Sequence, residues 1–139
     1  MLRGARKPDL FSTMERRPLM IARPELAEGR LPVAPVRAHL AGICGSGMQS
    51  LAAVLLGRGW QITGSDLVPE GARWLSDAGI EIRLQSDESV SRDHDLLIYS
   101  EAIEPQTAER RRATELGIPQ LSYPAMLGRL MAENEGLAV

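Results

Sequence analysis

An α/β fold, a doubly wound and mostly parallel sheet of about five strands with helices on both faces, is predicted by three observations. Strand-like and helix-like segments alternate from Arg37 onward, the rhythm of βαβ units with right-handed crossovers. The segment Asp95-Leu96-Leu97-Ile98-Tyr99 carries a continuous apolar run, as a central strand covered on both faces requires. Closely spaced glycines, Gly42, Gly45 and Gly47, join the first strand to the first helix, which makes the arrangement Rossmann-like.

Each element follows from its own residues. Ala38-His39-Leu40-Ala41 is the first strand and runs into the glycine turn. Met48, Leu51, Ala52 and Leu55 then recur at helical spacing, and Gly57 and Gly59 end that helix. Trp60-Gln61-Ile62-Thr63-Gly64 alternates as a second strand and stops at Ser65-Asp66. Pro69 opens a helix carrying Ala72, Trp74, Leu75 and Ala78, terminated by Gly79. Ile80-Glu81-Ile82-Arg83-Leu84 has period two, a strand with one apolar face. After the apolar strand, Pro105 precedes a helix from Gln106 to Leu116, ended by Gly117. Ile118-Pro119-Gln120-Leu121 is a short strand, and Pro124 opens a helix through Met131. The tail Gly136-Leu137-Ala138-Val139 reads as the start of another strand.

Composition bounds the function. The 139 residues suffice for one buried core, and charged residues at 24% are ordinary for a globular protein. The net charge of -2 hides an asymmetry. Residues 1–36 are basic and proline-rich (Arg3, Arg6, Lys7, Arg16, Arg17, Arg23 and Arg30) and read as a poorly ordered leader. The remainder, 37–135 with the tail 136–139, is acidic, and the leader has no interleaved aromatics, so nucleic acid is not an expected partner. No apolar stretch approaches the ~20 residues that span a bilayer, and no signal-peptide layout opens the chain, so no membrane partner is expected. The single cysteine, Cys44, fits a reducing cytoplasm, and one cysteine with two distant histidines, His39 and His94, gives no metal-ligand spacing.

In a sheet of this kind ligands lie beyond the carboxyl ends of the strands. Three loops converge there: Gly42–Met48, Ser65–Asp66 and Ser100–Ile103. A helix that opens on a glycine turn offers unpaired N–H groups at the positive end of its dipole, a place for a diphosphate. Asp66, about twenty residues beyond the turn, stands where a carboxylate meets a ribose in dinucleotide sites. Other chemistry-bearing residues have plainer readings. Cys44 has no facing base and is a small residue in a turn; Asp93-His94-Asp95 is a solvated loop; Arg110-Arg111-Arg112 is a solvated helix face.

His39-Leu40-Ala41-Gly42-Ile43-Cys44-Gly45-Ser46-Gly47-Met48 followed by Gly64-Ser65-Asp66 resembles the N-terminal domain of the Mur ligases, on the side of their alanine-adding branch. Tyr99-Ser100-Glu101-Ala102-Ile103, then Gly117-Ile118-Pro119, then Ala125-Met126-Leu127-Gly128-Arg129-Leu130-Met131 extend it, in order, over Arg37 to Val139. The resemblance implies a domain that binds UDP-N-acetylmuramate in peptidoglycan synthesis. Gly42, Ile43, Cys44, Gly45, Ser46, Gly47 and Met48 would cradle the diphosphate through backbone N–H groups. Ser65 and Asp66 would lie against the uridine, and Ser100, Glu101, Ala102 and Ile103 would line the same crevice.

It also implies that ATP and magnesium serve the complete enzyme through central and C-terminal domains, with no cofactor, metal or catalytic residue in this chain. Residues 136–139 would begin the strand leading to the ATP phosphate loop, and no Gly-Lys-Ser/Thr occurs in the sequence. The expectation is a piece that holds substrate without ligating it. Cys44 departs from the family turn, where glycine is usual. Gly-Ile-Cys-Gly is similar also to the related ligase that reattaches murein tripeptide, which stays open as an alternative. A nicotinamide-binding oxidoreductase module and a non-catalytic nucleotide sensor are the readings from other classes.

Overall fold

The computed structural model describes residues 23–138, and of 134–138 the backbone alone. Five strands form one sheet: β1 (Arg37–Ala41), β2 (Gln61–Asp66), β3 (Glu81–Leu84), β4 (Leu96–Tyr99) and β5 (Gln120–Ser122). Their order is β3-β2-β1-β4-β5 and every pairing is parallel, as predicted. The chain reverses direction across the sheet between β1 and β4, so the loops after those two strands flank one crevice.

The helices are α1 (Pro24–Ala27), α2 (Ser46–Gly57), α3 (Arg73–Asp77), α4 (Ala108–Leu116) and α5 (Tyr123–Ala138). Met48, Leu51, Ala52 and Leu55 of α2, Leu75 of α3 and Met126 and Leu130 of α5 pack with Leu40, Ile62 and Ile98 into the larger core. Across the sheet, α4 seats Ala113 on Leu97, Val90 and Ile118. The helix expected from Pro69 is split: a 3-10 turn at Pro69–Ala72 precedes α3. Gly71 lies against the Cys44 side chain there, which a continuous regular helix need not allow.

Two expectations at the ends are corrected. The leader was expected to be poorly ordered through residue 36, yet 23–36 are packed; residues 1–22 lie outside the described residues. Leu26, Leu31 and Val36 are buried in the larger core. Arg23 pairs with Asp95 at 3.0 Å, and Arg129 donates to the carbonyls of Leu26 and Arg30. Three apolar anchors suffice to dock a segment that proline and arginine make look unstructured. At the other end, the strand expected to begin at Gly136 is helix through Ala138; Val139 lies outside the described residues. A strand needs a neighbour to pair with, whereas a helix closes its hydrogen bonds on itself.

Candidate functional site

At the carboxyl edge of β1 the chain turns sharply. Gly42 has φ +82, and a Cβ built there would lie 2.6 Å from Ser100 Oγ. The Gly42 and Ile43 N–H groups both donate to the Ser65 carbonyl, at 2.9 and 3.0 Å. The Cys44 N–H donates to Asp66 Oδ2 at 2.9 Å, and the Gly45 N–H turns back to the Gly42 carbonyl at 3.2 Å. Of the seven residues expected to offer amides to a diphosphate, four have those amides paired within the protein. Gly42, Ile43 and Cys44 spend their amides on two residues of β2 that reach over to fold the turn, and Gly45 spends its own within the turn. The amides of Ser46, Gly47 and Met48, which open α2, find no acceptor among the described residues, and Gly45 at the N-cap supplies no side chain. Beside them stands Tyr123, unremarked in the sequence: a Cβ on Gly47 would meet its hydroxyl at 2.7 Å.

Ser65 and Asp66, expected to lie against the uridine, are both engaged within the protein. Asp66 accepts from Cys44 N–H on one oxygen and from Val68 N–H, at 3.2 Å, on the other. It builds the turn before it meets any ligand. Ser65 is wholly buried, and its hydroxyl donates to Glu109 Oε1 at 2.7 Å. The Ile43 side chain is likewise buried in the core and faces no crevice.

Ser65 belongs to a polar network that runs beneath the α4 side of the sheet. Glu109, in the first turn of α4, also accepts the Ser86 N–H at 3.3 Å, and His39 Nε2 lies 3.5 Å from its Oε2. His39 Nε2 is 3.2 Å from Ser65 Oγ, and its Nδ1 is 2.8 Å from Thr63 Oγ1. Thr63 in turn meets His94 Nε2 at 2.9 Å, and His94 Nδ1 accepts the Ser91 N–H at 3.1 Å. Asp93-His94-Asp95 is thus no solvated loop: His94 is buried, and Asp95 caps the Arg37 N–H at 3.0 Å. Burial would raise the Glu109 carboxyl, but the His39 ring, with Ser65 and Ser86 donating, holds it below the usual range. Burial, with the His39 and Arg37 charges adding, lowers His94 to about 4.

A cavity of about 260 Å³ opens at the same carboxyl edge, lined by Leu67, Gln85, Ser86, Ile103, Thr107 and Glu109 among others. Ile103 lies 3.5 Å from the position of a Gly42 Cβ, so cavity and glycine turn are neighbours. Of the loop Ser100–Ile103, Ile103 is buried and Ser100 half-buried, while Glu101 and Ala102 are exposed at its tip. Arg110 holds this loop: it donates to the Ile103 carbonyl at 3.2 Å and stacks 3.7 Å from the centre of the Tyr99 ring. Only part of the expected solvated arginine face is solvated. Sequence reading missed Gln85, Ser86, Thr107 and Glu109, which carry no motif; a glutamate in the first turn of a helix is ordinarily a dipole partner.

Cys44 Sγ lies 3.4 Å from the Val68 carbonyl. Partial burial, with the Asp66 carboxylate beside it, raises the thiol above its ordinary value. A protonated thiol is a poor nucleophile. Alkylation of Cys44 by iodoacetamide at pH 7.5, followed by mass spectrometry, is expected to run slower than that of glutathione.

Among the described residues no group of three or more His, Cys, Asp or Glu stands together, and no phosphate loop occurs in the sequence. Nor, among the described residues, is any helix long and apolar enough to cross a membrane.

Residues 37–135 match the family model "Mur ligase family, catalytic domain". A UDP-N-acetylmuramate–L-alanine ligase of Sulfurihydrogenibium sp. is 38% identical over 102 residues, 73% of this chain and 22% of that protein. One from Pelotomaculum thermopropionicum is 39% identical over the same length and shares. Among solved structures, the UDP-N-acetylmuramate–alanine ligase of Thermotoga maritima is similar at 26% identity and a TM-score of 0.59, over 73% of this chain and 23% of that one. A murein peptide ligase of Psychrobacter arcticus is similar at 27% and 0.58, over 64% and 19%. The chain spans about a fifth of the length of the curated relatives it matches. With a five-stranded parallel sheet, a glycine turn feeding α2 and a matched region covering most of its length, the chain belongs to the Mur ligase family.

Proposed function

We propose that this chain is the UDP-sugar-binding part of a UDP-N-acetylmuramate–L-alanine ligase. The diphosphate sits on the amides of Ser46, Gly47 and Met48, and the uridine enters the cavity bordered by the loop Ser100–Ile103. The observation that carries this reading is the adjacency of three unpaired helix-opening amides and a cavity at one sheet edge. The names of the two relatives at 38% and 39% identity favour the alanine-adding branch over the tripeptide-attaching one. Residues 37–135 form the binding unit, with 23–36 packed onto it. Activation of the carboxylate and formation of the amide belong to parts of the ligase outside these residues. The contribution here is positional: anchoring UDP at a distance holds the reacting end of the sugar where those parts work.

Calorimetry of this chain with UDP-N-acetylmuramate is expected to show binding, and with NAD none. Ser46→Pro is the sharper arm. Proline is favoured at the first helical position, and Gly45 before it, at φ -62 and ψ 146, already has the extended backbone that a following proline demands. The variant should fold and lose one of three donors, weakening UDP-N-acetylmuramate by about tenfold. Undiminished affinity in the folded variant, or NAD binding with indifference to the UDP-sugar, would defeat the proposal.

A further inference from the structure

Glu109 is 3% exposed, and a carboxylate so far from water persists only when its oxygens are well partnered. Its partners come from both halves of the candidate site. Oε1 accepts the Ser65 hydroxyl, and the carbonyl of that same Ser65 holds the Gly42 and Ile43 amides of the turn. Oε2 accepts the Ser86 N–H, and Ser86 lines the cavity. His39, backed in sequence by Thr63, His94 and the Ser91 N–H, stands against Oε2 from the sheet side.

We propose that Glu109 is a positioning residue that ties the glycine turn to the wall of the cavity, setting the distance between diphosphate and base. The inference rests on the reading of cup and cavity given above. The turn keeps its own bonds to the Ser65 carbonyl and to Asp66 when Glu109 changes, so the cup survives while the Ser86 wall loosens. A glutamine at 109 would turn an amide N–H₂ toward one of the donors, Ser65, Ser86 or His39, that the carboxylate now satisfies.

Titration calorimetry with UDP and with inorganic pyrophosphate gives the ratio of the two Kd values, which is what the uridine adds. In Glu109→Gln that ratio is expected to fall about tenfold, with pyrophosphate affinity held within about twofold. The Ser86 amide of the unliganded variant should exchange with solvent faster by NMR, while amides of β1 keep their protection. Ser65→Ala removes one partner and spares the Ser86 contact; it should lower the ratio about threefold and carries the test if the glutamine variant fails to fold. An unchanged ratio in a folded variant, with the Ser86 amide as protected as before, overturns the tie. A wild-type chain that binds UDP no better than pyrophosphate overturns the reading of the cavity itself, and the tie falls with it.

Discussion

Gly42→Ala is expected to lower the unfolding free energy by about 2–5 kcal/mol. Two costs coincide at this residue. Its φ of +82 lies in the left-handed region, where a Cβ costs about 1–2 kcal/mol. The methyl would also meet Ser100 Oγ at 2.6 Å and Ser100 Cβ at 3.2 Å, an overpacking of about 1–3 kcal/mol in a crowded turn. The costs separate by mutation. Gly117→Ala carries the same kind of backbone strain, at φ +73, with nothing within 4 Å of the new methyl, and should lose only the first part. Ser100→Gly added to Gly42→Ala removes the clashing atoms and should restore about half of the stability. Urea unfolding of the three variants measures this. A Gly42→Ala protein as stable as the wild type would mean that the turn has another shape.

Acid is expected to destabilise the protein well above the range where its carboxylates titrate, because of His94. Its folded pKa of about 4 lies below the ordinary 6.5. Between those values the unfolded chain takes up a proton that the folded chain refuses, so stability is full above pH 6.5 and falls as the pH drops toward 4. At about 1.4 kcal/mol per pH unit the loss is on the order of 3 kcal/mol across the window. Glu109 continues the trend lower down: its depressed carboxyl contributes stability above the ordinary 4.5 that is lost as the pH falls through the folded value. His94→Gln keeps a donor toward Thr63 and removes the titration. Urea midpoints measured from pH 7 to pH 4 should fall steeply in the wild type and much less in the variant. Equal slopes would show that His94 is not the group refusing the proton.

Much of this was legible in the chain. Helical spacing at Met48, Leu51, Ala52 and Leu55, the apolar run at 96–99 and the glycines between strand and helix are local signals, and each element they announce is present. The fate of the turn amides was not legible. Ser65 and Asp66 look like the end of a strand pointing at a ligand; that they spend carbonyl and carboxylate on the turn depends on the β1–β2 register, which sets Ala41 beside Ser65. The buried network left a faint trace: Thr63 and Ser65 alternate with Ile62 and Gly64, a polar side on a central strand. Its purpose is invisible without Glu109, which arrives from a helix 44 residues further on. The leader misled in the opposite direction, because composition averages over the few apolar residues, Leu26, Leu31 and Val36, that decide whether a segment docks.

Periodicity and glycine placement by themselves determined a parallel α/β sheet with a helix that opens on a glycine turn, since those preferences act between residues a few positions apart. The tertiary structure alone decided which amides remain free and that a buried glutamate joins turn to cavity. Hydrogen bonds between strands and across layers are made by residues that the chain keeps far apart, and a donor already satisfied at such a distance is no longer available to a ligand.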